Sequence, residues 1–560
     1  MFLFYARVML LRRKVVGCYM EFEAGSSVLF VGEGDFSFTE ALSCHHKHAS
    51  DITLVATGFH QDVTERANIN IQKLKERGVE VVLGVDATKL HIDETLKSRK
   101  FTCVVFNFPH VGGKMKIHLN RTLLEEFFAS AICMLTDHGN IIVSLCAGQG
   151  GVPIDSETRR WDDTWQLVLM ASRADLILKR VFKFDASRYN GYSATGYRSL
   201  EKGFDLSKAI TYVFERGPRE IDPLHCDPLR TESAILYDGH CMNIPYFIYA
   251  QIQRNICSDL STVPGQLCSL IQKHLSRNVI LQFKDYILMD ENTEFRNILH
   301  HYSGYLLSIS SKVVSVYPVY ILKKSPFSID AFLLIMYNKK NLDFGTICMG
   351  NIELEIQNLS KSFSPYSKTL TWKDIMYDSS SVSVSDSSVS ETSHTDYLGD
   401  LAMYAVDLNQ LVKFCFDIDI DEFWAFGQHI TTESHCFTYS PFSLFPLEYV
   451  YDLSFWQYKE ESRKYHPPKG DSELPPTGEK EGKVTLDLNL VGTIIVNVAK
   501  DLLLDYKLLS SDVHPVKRRM SFTYRIRYRS FFQSLSDCRA KQIHTNIGLI
   551  LEERLGVEIR

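Results

Sequence analysis

The stretch that most constrains this chain is Val28-Leu-Phe-Val-Gly-Glu-Gly-Asp-Phe-Ser-Phe38. Four consecutive apolar residues, Val28 to Val31, read as a strand buried on both faces, the signature of a covered parallel sheet. A Gly-x-Gly turn follows at Gly32 and Gly34, and a helix opens near Ser37. Glycine lets the backbone turn sharply and lets a ligand approach with no Cβ in the way. The unpaired N–H groups at the start of the helix suit a polar, partly anionic ligand. Gly32, Glu33, Gly34, Asp35, Phe36 and Ser37 are therefore candidate contacts for a nucleotide-like cofactor. The spacing is Gly-x-Gly-x-x-Ser, so a plain strand–turn–helix is the alternative.

At 560 residues the chain exceeds one ordinary core, and two to four domains are expected. With 45% hydrophobic and 23% charged residues it has a globular composition, and its net charge of −6 confines any nucleic-acid contact to a local basic surface. The 13 cysteines include no Cys-x-x-Cys pair, which argues against a zinc ribbon and for a reducing compartment. Cys44-His-His-Lys-His48 has no matching ligand pair at a standard spacing, so no metal is expected. The first sixteen residues carry Arg7, Arg12, Arg13 and Lys14, with no acid before Glu21. That suits a mitochondrial presequence, with an upstream strand or frayed terminus as the plainer reading. No apolar run approaches the roughly 20 residues of a membrane-spanning helix, so no membrane partner is expected.

Beyond the opening loop the chain alternates. Helices are expected over 38–47, 62–77 and 123–135, and strands over 52–56, 79–83, 101–106 and 140–145. This βαβ succession implies an α/β unit with a mostly parallel, Rossmann-like sheet covered on both faces. Ligands of such sheets sit at the carboxyl ends of the strands, where the Gly32–Gly34 loop, Asp86 and Asn107 all fall. Asp86, followed by Ala87, suits an adenine amino group or, equally, an N-cap. Asn107, Pro109 and His110 end the fourth strand in a turn.

Asn107-Phe-Pro-His110 resembles the Asn-Pro-Pro-Tyr element of amino-methyltransferases. There an amide or carbonyl oxygen accepts from the target nitrogen and an aromatic ring stacks on the base. Together with Val31 to Phe38, Gly84 to Thr88, Phe106 to Lys114 and Val143 to Gln149, the stretch resembles the rRNA uridine-N3 methyltransferase-like family. Trp161, Trp165, Tyr189 to Tyr192 and Gly196 to Ser199 continue the likeness, which spans residues 25–217. It implies S-adenosylmethionine as cofactor, held by the Gly32–Ser37 loop, Asp86, Ala87, Asn107 and Pro109. It also implies methyl transfer to an exposed uridine, with Asn107, His110 and Lys114 as catalytic candidates. His110 would stack on the base or relay a proton.

Residues 218–437 are less legible. Strands are expected within 306–322 and 331–337, and helices over 267–275 and 401–416. A Ser-rich loop is expected at 378–394. Val406 to Trp424 resembles the last motif of the class II phenylalanyl-tRNA synthetase catalytic domain, with Gln410 where that family has its phosphate-clamping arginine. A neutral amide cannot make that charged contact, so a degenerate α+β region without aminoacylation is implied.

Residues 440–560 begin a new unit with strand, helix, strand, strand, helix and a closing strand near Val557, a ferredoxin-like α+β order. The strings Asp452 to Trp456, Val513 to Pro515, Phe522 to Arg529 and Leu555 to Val557 resemble the ferredoxin-fold anticodon-binding domain. Alternation places Arg525, Arg527 and Arg529 on one face, with Lys517, Arg518 and Arg519 in the preceding loop. These six are the candidate RNA contacts. Three like charges on one face repel, and an RNA partner would relieve them. The expectation is therefore an RNA methyltransferase acting on rRNA, with tRNA as the other candidate partner and protein partners open. The alternative is a non-catalytic RNA-binding scaffold. A nucleolar or cytoplasmic location is expected, with the mitochondrion as an alternative.

Overall fold

A computed structural model describes residues 20, 22–45, 52–112, 116–155, 157–194, 205–217, 227–253, 443–457, 486–513, 519–530 and 533–560, with shorter stretches between 257 and 408. Lys114, His46 to His48, Gly196 to Ser199, Gln410, Lys517 and Arg518 lie outside the described residues, as do the expected helix over 270–275 and Ser-rich loop over 379–394.

The first unit is built on β1 (Ser27–Val31), β2 (Thr53–Gly58), β3 (Glu80–Leu83), β4 (Phe101–Asn107), β5 (Leu135–Leu145), β6 (Leu176–Lys183) and β7 (Ile210–Arg216). They form a seven-stranded sheet in the order β3-β2-β1-β4-β5-β7-β6. β1 to β5 run parallel to one another, while β7 runs antiparallel to β5 and β6. The strand order reverses between β1 and β4, the crevice where a doubly wound sheet accepts its ligand. There Val31 lies beside Phe106, so Gly32 and Asn107 leave the sheet side by side.

β1 is buried from Val28 to Val31 because both sheet faces are covered. Val28 and Phe30 pack with α1 (Ser37–His45) and α2 (Glu65–Glu76), while Leu29 and Val31 pack toward α3 (Ile117–Met134). Thr64 starts α2 by accepting from the Ala67 N–H, and Ala67, Ile71 and Leu74 bury one face of it. α3 starts six residues earlier than expected, at Ile117, and buries Leu124, Phe127, Phe128 and Ala131. Each such aromatic contributes on the order of 2 kcal/mol through lost apolar exposure. α4 (Leu167–Ser172) precedes β6.

In the middle region, β8 (Thr231–Ile235) and β9 (Cys241–Pro245) form a hairpin leading into α5 (Tyr246–Gln253). A six-stranded sheet follows: β10 (Ile280–Phe283), β11 (Ile287–Asp290), β12 (Val313–Lys324), β13 (Phe327–Asn338), β14 (Met376–Asp378) and β15 (Leu401–Asp407). Residues 401–407 were expected to be helical and are a strand, because β15 is hydrogen-bonded on both sides, to β13 and β14. That pairing overrides the helix propensity of Leu401, Ala402 and Met403.

The carboxyl-terminal unit runs β16 (Tyr449–Gln457), α6 (Leu488–Ala499), β17 (Leu503–Val513), β18 (Met520–Tyr528), α7 (Asp537–Leu555) and β19 (Val557–Ile559). Its four antiparallel strands lie in the order β17-β18-β16-β19. Ser536 caps α7 at its start, and Gly556, at φ 61°, ends it in the left-handed conformation.

The expected boundary near 437–440 does not separate two cores. Buried residues of the middle sheet and the last unit form one apolar cluster. Asn497 of α6 accepts from the Phe247 N–H and donates to the carbonyls of Pro228 and Arg230. The first unit is joined to this body by Leu444, buried in the first unit's core, whose N–H donates to the Leu178 carbonyl.

Candidate active site

The loop after β1 shows why glycine is needed. Gly32 has φ 69°, and a Cβ there would lie 2.5 Å from the Phe106 ring. Glu33 donates its N–H to the Thr57 carbonyl, tying the loop to β2. Burial, then the nearby Asp35 charge, push the Glu33 carboxyl up to about 8, with Thr39 offsetting part of the rise. Burial followed by the Glu33 and Asp35 charges likewise holds the Tyr192 phenol above its usual range. Tyr192, Glu33 and Asp35 thus lie near enough to one another beyond β1 for each charge to act on its neighbours.

Three of the expected loop contacts have structural employment instead. Asp35 is buried, and its Oδ1 accepts from the Ser37 N–H at 3.0 Å and hydroxyl at 2.6 Å. Its Oδ2 lies 3.1 Å from Arg66 Nε. Phe36, at φ 59°, is fully buried, its ring end 2.9 Å from where a Cβ on Gly58 would lie. Ser37 is buried, its hydroxyl donating to Asp35 and hydrogen-bonded to the Ser193 backbone. The side chains of Phe36 and Ser37, both expected at the cofactor, are packed beneath the loop and shape it from there. Gly34 is exposed at its tip.

At the end of β3, Asp86 caps the 3₁₀ turn Ala87–Ile92, its Oδ1 accepting from the Thr88 N–H and hydroxyl. Partial burial opposes ionisation, but Thr88 and then Lys89 outweigh it and hold the carboxyl below the usual range. The N-cap is thus realised, and Oδ2 lies 3.6 Å from Lys89 Nζ. Ala87 is buried.

Asn107 is positioned by its neighbours in the sheet. Its Oδ1 accepts from the Ser144 hydroxyl at 2.8 Å, and that hydroxyl lies 3.0 Å from the Thr211 hydroxyl, both side chains being buried. The Asn107 Nδ2 is buried with no hydrogen-bond partner among the described residues. Such a group is costly unless something arrives to accept from it. The Ser144 bond takes one of the two lone pairs of the oxygen through which the amide was expected to act, and the NH₂ is a further group on offer. Phe108 adopts φ 52° and Pro109 is buried, so the turn is sharply set. His110 Nδ1 accepts from the Gly112 N–H at 3.2 Å. This places the proton of a neutral ring on Nε2 and makes a proton-abstracting role at that nitrogen unfavourable.

Around this centre, Phe38, Phe184, Tyr189 and Tyr192 form an aromatic cluster, with Phe38 4.6 Å from Tyr189 and Phe108 5.0 Å from Phe184. Thr211 escaped the sequence reading because β7 carries no motif. Its only signal is a polar residue within an apolar strand.

The residues fit the cofactor expected here. A glycine cradle allows close backbone approach, a half-buried carboxyl lies beside it whose ionised form a cationic sulfonium or ammonium would favour, and an orphan amide waits at the adjoining strand end. Residues 29–196 match the family model described as BMT5-like, rRNA (uridine-N3-)-methyltransferase. The first domain resembles this methyltransferase family. The chain is 41% identical over 194 residues to the mouse ferredoxin-fold anticodon-binding domain-containing protein 1 homolog and 40% over 192 residues to the human protein. Each match covers 34% of this chain and 31% of the relative, so the aligned part spans about a third of either protein. The 25S rRNA (uridine(2634)-N(3))-methyltransferase of Saccharomyces cerevisiae is 25% identical over 238 residues, covering 31% of this chain and 67% of that protein. A solved S-adenosylmethionine-dependent methyltransferase from Clostridium acetobutylicum covers 37% of this chain and 89% of its own at 14% identity, with a TM-score of 0.23.

In the last unit, Arg525 pairs bidentately with Asp452 at 2.8 and 2.9 Å. Arg527 pairs with Glu448 and Asp505, and Arg529 lies 3.3 Å from Glu448. Arg519 pairs with Glu558. The expected arginine face exists, but carboxylates of neighbouring strands already relieve its repulsion. The inference that RNA is needed for that purpose is corrected.

Proposed function

We propose that the chain is an S-adenosylmethionine-dependent RNA methyltransferase that methylates uridine at N3, with rRNA as the substrate. The observation that carries this reading is the orphan Asn107 amide beside the Gly32 loop, at the reversal of the strand order. Bound S-adenosylmethionine would supply an activated methyl group. The Gly32–Gly34 backbone would accept its close approach, and its positive charge would favour the ionised form of Glu33. Uridine N3 must lose its proton, which passes to solvent water, and the resulting charge spreads onto the flanking carbonyl oxygens. Asn107 Nδ2 is suited to donate to one of them, stabilising charge where it develops. Ser144 and Thr211 hold that amide in place, so its orientation is set before substrate arrives. His110 is suited to stack on the base or donate to it. The base must come from a loop or be flipped out, because N3 is engaged in Watson–Crick pairing.

The similarity to a protein named for an anticodon-binding domain, together with the βαββαβ succession, supports reading the last unit as a ferredoxin-like, RNA-contacting domain. The middle region is read as a degenerate class II synthetase-like α+β region. The scaffold alternative draws on His110, whose Nδ1 is already engaged by Gly112.

The test is Asn107→Ala. Turnover should fall by about a hundredfold or more, while S-adenosylhomocysteine and RNA affinities change by no more than about threefold. Normal turnover with lost RNA binding would contradict the role given to Asn107.

A further inference from the structure

Trp161 is one of the few large apolar side chains the described residues leave in solvent, at 41% exposure. Large aromatics are normally buried, so an exposed and firmly held one invites a stacking partner. Its indole N–H donates to the Gln166 side-chain oxygen at 2.9 Å, with the Gln166 amide set in its hydrogen-bonded orientation. Gln166 is itself buried and sits at φ 51°. The Trp161 carbonyl accepts from the Thr164 hydroxyl, and Arg121 of α3 donates to the carbonyls of Asp162 and Thr164. The ring edge and the backbone are thus both fixed while much of the ring surface stays open.

Its position is at the mouth of the site. Arg121 follows Asn120, whose side chain accepts from the Val111 N–H, and Val111 follows His110. The Trp165 N–H donates to the Gln149 carbonyl in the loop after β5. The Trp161 segment therefore lies beyond the carboxyl ends of β4 and β5. Val111 and Leu119, on the neighbouring loop and the first turn of α3, are also exposed, at 40% and 39%. Arg159 and Arg160 precede Trp161 in the chain and Asp162 and Asp163 follow it, all exposed, so the local charge is mixed. A mixed rim is a poor track for phosphates and a good frame for a base.

We propose that Trp161 is a stacking platform for an unpaired nucleobase flanking the target uridine. This rests on the RNA methyltransferase reading and adds a specificity-determining contact to it. Base–aromatic stacking needs no particular base and depends little on salt, unlike phosphate contacts.

The test uses the full chain as wild type, Trp161→Ala and Trp161→Phe, with a labelled single-stranded oligouridylate as probe. Binding is read by anisotropy at two ionic strengths, and S-adenosylhomocysteine binding is the folding control. Trp161→Ala should weaken oligouridylate binding by about tenfold, by a similar factor at both ionic strengths, and Trp161→Phe by no more than about threefold. S-adenosylhomocysteine affinity should stay unchanged in all three. Wild-type affinity in Trp161→Ala would overturn the proposal, as would an equal loss in Trp161→Phe. If the wild type binds oligouridylate but methylates no RNA, the methyltransferase reading fails while the stacking contact stands. If it binds neither oligouridylate nor rRNA fragments, both fail.

Discussion

At the residue scale, several groups of the site sit in surroundings that disagree with their chemistry. Glu33 is the sharpest case: a carboxyl pushed up to about 8 by burial and by Asp35. The folded chain holds this proton up to about pH 8, whereas the unfolded chain releases it near its ordinary value of 4.5. The native state binds more protons across that window, so this group's contribution to stability falls as pH rises from 4.5 to 8. Glu33→Gln should remove the decline and raise the melting temperature at about pH 8.5 relative to wild type, with a gain of a few kcal/mol at most. Melting at about pH 5.5 and 8.5 checks this, and an unchanged difference between the two proteins would refute it. Wild-type affinity for S-adenosylhomocysteine, whose ammonium favours a charged Glu33, should rise over the same range. Much of this site was legible beforehand, because glycines and a strand-end asparagine are local signals. The partner of the Asn107 oxygen was not, since Ser144 and Thr211 reach it only through strand pairing.

At the element scale, strands buried on both faces announced themselves, as Val28 to Val31 did. β6 and β7 did not, because they follow no motif and join the sheet edge antiparallel. Leu401 to Asp407 shows the opposite failure: helix-forming residues held in a strand by neighbours on both sides. Along β18 the alternation of arginine with Tyr524, Ile526 and Tyr528 was legible, and the burial pattern follows it. The carboxylates that answer the arginines come from Glu448, β16 and β17, and no single strand reveals its register. Arg527→Ala should cost about 1 kcal/mol, since it removes the cation shared by Glu448 and Asp505, although Glu448 keeps Arg529. It should change RNA affinity by less than about threefold. A large loss of RNA affinity at unchanged stability, read by denaturation alongside anisotropy, would show that Arg527 leaves its carboxylates for phosphate.

At the scale of the whole molecule, the first unit carries the site, while the middle sheet and the last unit form a common apolar body. The two are linked by polar contacts at defined points. Arg173 pairs with both Glu125 and Asp537 at the start of α7, and the Ser534 hydroxyl donates to the Ser172 carbonyl. An RNA engaged by the last unit would therefore be presented to a site at a set distance, which suits a structured substrate. The central claim is that this assembly methylates uridine N3 in rRNA. The most direct test incubates the full chain with labelled S-adenosylmethionine and fractionated cellular RNA, then digests the product to nucleosides. The account predicts labelled N3-methyluridine in the rRNA fraction, lost with Asn107→Ala. No label in any fraction, alongside measurable S-adenosylmethionine binding, would contradict it and leave a cofactor-binding scaffold.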